Sequence, residues 1–137
     1  MPGNVVLDSS VIAAIFFPEA VSEKAWEIAE KHDCTTVDLA YAEVANVAWK
    51  RANHSGQDTG AAKEALADCT AFISQTCQVF PAQDLIPAAY DLACTHRITL
   101  YDALFLAAAL RCTSPLVTVD KKLHAAAKTS VTCELLA

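Results

Sequence analysis

The hydrophobic and polar positions of the chain alternate between two rhythms. Short β-branched runs are separated by longer stretches with helical spacing. The first run, Val5-Val6-Leu7, stops at Asp8, and two serines lead into Val11-Ile12-Ile15-Phe16, whose spacing predicts a helix ending at Pro18. Ser9 or Ser10 can cap that helix, because a hydroxyl oxygen accepts a free amide of the first turn, and Asp8 itself also reads as a turn or cap residue. A second helix is expected from Val21 to Lys31, then a short strand Cys34–Val37 closed by Asp38, then a long helix from Leu39 to Asn53 with Asp38 as its cap. Residues 54–60 read as a polar loop. Helix Ala61–Ser74, strand Gln78–Phe80 and helix Asp84–His96 follow, with Pro87 suited to the first turn of the last. Arg97-Ile98 turns the chain into helix Leu100–Cys112. Strand Leu116–Val119, a short helix Lys121–Ala127 and a last strand Ser130–Leu135 complete it. Strands that alternate with helices predict a three-layer α/β domain with a mostly parallel sheet. With no internal repeat, linker or low-complexity tract, one domain over residues 1–137 is expected.

Composition narrows the environment. Apolar residues make up 54% of the 137-residue chain, above the usual ~45–50%, and much of the excess is alanine, which favours close helix packing and a buried self-association face. The longest apolar run, Ala103–Leu110, falls far short of the ~20 residues of a membrane span. The N-terminus lacks a basic region followed by a long apolar stretch, so a cytoplasmic protein is expected. The six cysteines are scattered, with no Cys-x-x-Cys pair and no histidine at zinc-site spacing. A net charge of −6 argues against non-specific nucleic-acid binding through a basic surface. It leaves room for a site where bound cations invert the local charge.

Four acids stand out. Asp8 and Asp120 each follow a buried-type strand, and parallel strands place both at one edge of the sheet. Glu43 lies inside the long helix beside Ala40, Val44 and Val47. Lys50 and Arg51 fall outside the three-or-four spacing of helical ion pairs, so an inward Glu43 lacks a helical counter-charge. Asp102 precedes the apolar run and, with Thr99, also reads as half of a capping box. Gathered at one sheet edge, Asp8, Glu43, Asp102 and Asp120 would repel one another without a hard cation. Oxygen-only ligands suit Mg²⁺ or Mn²⁺, and such sites carry out phosphoryl chemistry.

The stretches Asp8-Ser-Ser-Val-Ile, Glu43-Val-Ala-Asn46, Tyr101-Asp-Ala-Leu-Phe-Leu-Ala-Ala-Ala and Leu116-Val-Thr-Val-Asp120-Lys-Lys-Leu resemble, in order, the motifs of PIN-domain ribonucleases of the VapC-like toxin type. The resemblance spans essentially the whole chain. It implies a five-stranded parallel sheet flanked by helices and Mg²⁺- or Mn²⁺-dependent cleavage of single-stranded RNA. It also implies a homodimer or higher oligomer, and inhibition by a small antitoxin. Position by position, Asp8, Glu43, Asp102 and Asp120 match the family's acidic residues. Ser10, Asn46 and Thr118 match polar residues that orient carboxylates or metal-bound water. Ser10 also reads as a helix cap and Thr118 as a strand hydroxyl. A phosphorelay receiver would need an adjacent acidic pair after the first strand, and a haloacid-dehalogenase phosphatase would need Asp-x-Asp. Leu7 and Ser10 stand at those places. The remaining alternative is a catalytically silent PIN-like domain that binds protein or RNA.

Overall fold

The computed structural model describes residues 3–137. Five strands, β1 (Asn4–Leu7), β2 (Asp33–Val37), β3 (Gln78–Phe80), β4 (Leu116–Thr118) and β5 (Cys133–Leu135), form one parallel sheet in the order β3-β2-β1-β4-β5. Seven helices connect them: α1 (Ser9–Phe16), α2 (Ser22–Lys31), α3 (Leu39–His54), α4 (Thr59–Gln75), α5 (Ala82–His96), α6 (Leu100–Cys112) and α7 (Lys121–Ala127). Parallel pairing needs crossovers, and helices supply them. Helices α1 to α4 pack on one another, α5 pairs with α6, and α6 lies against β1, β2 and β4. The expected three-layer α/β architecture with a parallel sheet is what forms.

The centre of the sheet is dry. Val6, Leu7, Val37 and Leu116 are fully buried, and so are Thr35, Thr36 and Thr118. The buried threonines find partners: Thr36 Oγ1 donates to the Leu7 carbonyl and Thr35 Oγ1 to Asn4 Oδ1, as a buried hydroxyl requires. Seven consecutive residues of α6, Ala103–Ala109, are buried. A helix apolar all round is a core helix, and the small alanines let it seat closely on the sheet. All six cysteines are free thiols. Burial pushes Cys34 up to about 11 and Cys69 and Cys77 up to about 12, so they behave as small apolar side chains.

Helix ends depart from expectation in an informative way. Neither serine caps α1. Asp8 does, accepting from the Val11 amide at 3.1 Å. Asp38 stands at the N-cap position of α3 but makes no side-chain bond to it. Its Oδ1 accepts from the Ala82 amide, 2.9 Å away at the start of α5. Helix α5 therefore begins at Ala82 rather than Asp84, and Pro87 falls inside it rather than in its first turn. Helix α4 begins two residues early because Asp58 caps it through the Ala61 amide. The last strand is short: residues 130–132 turn, and pairing begins at Cys133. We expect Asp38→Ala to lower stability by about 0.5–2 kcal/mol in urea unfolding, the cost of a lost cap, and Asp38→Asn to keep most of it. An Asp38→Ala protein as stable as wild type would mean that this long-range cap contributes nothing.

Candidate active site

From β1 the chain runs outward to β2 and β3, then returns past β1 to β4 and β5. The direction of winding reverses between β1 and β4, and at such a switch point the carboxyl ends of the strands leave a crevice. Asp8 follows β1 there, its amide bonded to the Val117 carbonyl of β4 at 3.3 Å. Asp120 follows β4. The crevice is a cleft of about 500 Å³ lined by residues of α1, α3 and α6 together with both aspartates, a volume in the range of ligand sites (~300–1,000 Å³). All four expected acids line it: Asp8, Glu43, Asp102 and Asp120.

Each acid is held differently. Asp8 is buried. Its Oδ1 accepts from the Ser10 hydroxyl and the Val11 amide, and its Oδ2 from the Thr118 hydroxyl at 2.5 Å. Those hydroxyls are themselves fixed from β4 onward: the Val119 amide donates to Ser10 Oγ at 3.1 Å, and the Asp120 amide to Thr118 Oγ1 at 3.0 Å. Ser10 and Thr118 thus orient Asp8, and the cap itself is the aspartate between them. Glu43 is half-buried on α3 and accepts from the Ser9 hydroxyl of α1. Ser9 was visible in the sequence only as a candidate cap; that it would face Glu43, 34 residues away, has no local signal. Asp102 is half-buried in the first turn of α6. The Thr99 hydroxyl accepts from the Asp102 amide, so Thr99 is the cap, while the Asp102 carboxylate lines the cleft. Asp120 is exposed and uses one oxygen, Oδ1, to cap α7 through the Lys122 and Leu123 amides. Asn46 lines the cleft as well, one helical turn from Glu43.

The electrostatics of the cleft are those of unneutralised acids. Burial pushes Asp8 up to about 6 against the pull of its hydrogen bonds, and the charge on Asp102 adds to the rise. Burial raises Glu43, opposed by Ser9 and reinforced by Asp102. Burial raises Asp102 too, followed by the charge on Asp120, with Thr99 and Lys122 pulling the other way. Among the described residues the ion pairs are Lys31–Glu27 and Arg51–Glu19, both outside the cleft.

The donor set is all oxygen, which suits a hard divalent cation. No three His, Cys, Asp or Glu side chains among the described residues form a ready-made metal cage. Mg²⁺ does not ask for one: it keeps several waters and is commonly held by one or two carboxylates. The residues fit such an ion.

The PIN domain family description matches residues 5–129. The chain belongs to the PIN-domain family. Ribonuclease VapC3 of Pyrobaculum aerophilum is 33% identical over 121 residues, covering 88% of this chain and 92% of that protein. Among solved structures, the crystal structure of PAE2754 from Pyrobaculum aerophilum matches 96% of this chain and 83% of its own with a TM-score of 0.73 at 23% identity. A toxin–antitoxin complex from Klebsiella pneumoniae matches 88% of this chain and 90% of its own, with a TM-score of 0.61 at 20% identity. At these identities the structural likeness shows the fold of this PIN domain.

Asp8 carries a pH signature. A carboxyl whose folded pKa lies near 6 rather than 3.8 favours the folded state when protonated. Its contribution is full below about pH 4 and is lost as pH rises through about 6, on the order of 3 kcal/mol. In chelator, Asp8→Asn should therefore lose less stability than wild type between pH 4 and pH 7, measured by urea unfolding. Parallel losses in the two proteins would remove Asp8 as the source.

Proposed function

We propose that this PIN domain is a Mg²⁺- or Mn²⁺-dependent endoribonuclease that hydrolyses phosphodiester bonds of single-stranded RNA and serves as the toxin of a toxin–antitoxin pair. One observation carries the reading: four carboxylates line one cleft at the switch point of the sheet, three of them with raised affinity for protons. Carboxylates whose charge is penalised by burial and by one another are prepared for a cation, which relieves both. Ribonuclease VapC3, similar over most of this chain, points to the same chemistry.

The ion, when bound, supplies a nucleophilic water near neutral pH and charge neutralisation at the leaving oxygen. The chain's own residues supply the frame. Asp8, clamped by Ser10, Thr118 and the Val11 amide, is the fixed ligand at the floor. Glu43, steadied by Ser9, and Asp102, at the start of the buried α6, stand on the walls. Asp120, exposed and with Oδ1 engaged in capping α7, would offer its Oδ2 to the ion or its waters. Asn46 offers an amide toward the same space. The toxin–antitoxin complex among the structural relatives supports a protein inhibitor, and an inhibitor that reaches an acidic cleft is best equipped with Arg or Lys. The rival reading, a silent binding module, draws on the lack of a ready-made cage and predicts binding without cleavage.

Purified protein free of inhibitor should cut single-stranded RNA with Mg²⁺ or Mn²⁺, leave 5′-phosphate and 3′-hydroxyl ends, and stop in EDTA. Undiminished cutting in excess EDTA, or 2′,3′-cyclic phosphate ends, would sink the mechanism. Asp102→Asn should lower cleavage by orders of magnitude while keeping or raising metal-free stability, since it relieves like-charge repulsion. Thr99→Ala should do the opposite, losing about 0.5–2 kcal/mol of stability with most activity kept. Near-normal cleavage by folded Asp102→Asn would take that residue out of the site.

Self-association is the remaining part of the reading: Ile86 and Tyr90 on α5 and Leu110 on α6, a helix packed against α5, are all more than two-fifths exposed, and apolar surface gathered into a patch favours partners. We expect a homodimer or larger assembly; light scattering that finds a monomer at micromolar concentration would contradict it.

A further inference from the structure

The cleft is also lined by side chains that the acid chemistry does not use. Tyr101, on α6 beside Asp102, lines the cleft yet is 59% exposed. Phe105, four residues on and therefore on the same helical face, also lines the cleft and is buried. The two rings differ in setting: Phe105 is sealed into the core, while Tyr101 is open to solvent in the same cleft as the acids. On the facing wall, the α3 stripe Glu43-Asn46-Lys50 runs along the cleft at spacings of three and four residues. Lys50 thus sits seven residues from Glu43, roughly 10 Å along the helix axis. It is exposed and belongs to none of the ion pairs among the described residues.

These positions answer a difficulty in binding RNA. The chain carries a net charge of −6, and four of its carboxylates are concentrated in the cleft, so the protein repels a polyphosphate there. Affinity has to come from the bound cation, from contacts indifferent to charge, and from isolated cations set apart from the acids. A solvent-exposed aromatic face is a contact of the second kind. Bases stack on such faces regardless of their identity, and only unpaired bases expose their faces to do so. A lysine one helical stretch away from the acids is a contact of the third kind: it can meet a neighbouring phosphate while leaving the reacting one to the metal.

We propose that Tyr101 and Lys50 are substrate-binding residues that together select single-stranded RNA: an unstacked base lies on the Tyr101 ring while Lys50 holds a flanking phosphate on the opposite wall. The inference rests on the ribonuclease reading above and names how that site takes its substrate. Base pairing would hide the face that Tyr101 needs, which gives the preference for single strands a physical source.

The test is binding of a short fluorescein-labelled oligoribonucleotide to the full chain in Mg²⁺, followed by anisotropy, alongside steady-state cleavage. Tyr101→Ala should weaken binding roughly tenfold, the effect of losing one base stack, with the loss in cleavage falling on KM rather than kcat. Tyr101→Phe should bind as wild type, because the ring and not the hydroxyl does the work. Lys50→Ala should flatten the dependence of log Kd on log salt concentration by roughly 0.7, one single-strand phosphate contact. Trp49→Ala, an exposed ring on α3 that does not line the cleft, should leave RNA binding and cleavage at wild-type levels. Wild-type affinity in Tyr101→Ala, an equal loss in Tyr101→Phe, or an unchanged salt slope in Lys50→Ala overturns the proposal. RNA bound with these variant effects but never cleaved would overturn the ribonuclease reading and leave this one standing. No binding by wild type would overturn both.

Discussion

The rest of the structure depends on a carboxylate buried at the end of the central strand. Asp8 is only 5% exposed, and a buried charge is tolerated only where hydrogen bonds compensate it. Here the compensation comes from α1 and β4, through Ser10, the Val11 amide and Thr118. The Val119 and Asp120 amides then fix the two hydroxyls from behind. One side chain therefore ties the end of β1, the start of α1 and the turn after β4 into a single unit. The hydrogen bonds still do not cancel the desolvation, and the proton affinity of Asp8 stays high. The tension between burial and charge is a property of the fold at its switch point and the reason the site has something to offer a cation.

Outward from Asp8 the acids become freer. Glu43 and Asp102 are half-buried and Asp120 is exposed. That gradient follows from where each is anchored. Asp102 stands on a helix buried along seven consecutive residues, which holds its backbone still, while its carboxylate is not spent on capping because Thr99 does that. Asp120 divides its carboxylate between capping α7 and facing the cleft. A rigid floor with adjustable walls suits a ligand such as Mg²⁺, which keeps much of its own hydration and asks for few protein oxygens.

The same arrangement reconciles an acidic surface with the nuclease chemistry of the PIN-domain relatives. On the proposed reading, complementarity to RNA would come from a cation bound at the site and not from the charge of the body of the protein. What the protein contributes permanently is shape: a crevice between α1, α3 and α6, with an exposed aromatic ring on α6 and a lone lysine on the far wall.

Much of this could be read from the residues in order. The alternation of β-branched runs with helical spacing carried the α/β class and the parallel sheet, because element type depends on local periodicity. The positions of Asp8 and Asp120 just after strands carried their shared edge, because parallel strands end together. The inward Glu43 without a helical partner was legible for the same local reason. Tertiary structure decided the rest. That Asp38 caps α5 and not its own α3, and that Ser9 meets Glu43 across 34 residues, both turn on which element packs beside which. So does the facing of Tyr101 and Lys50 across one cleft. A hydrogen bond or a groove between distant segments leaves no period in the chain; it exists only once the core has fixed the distances between helices.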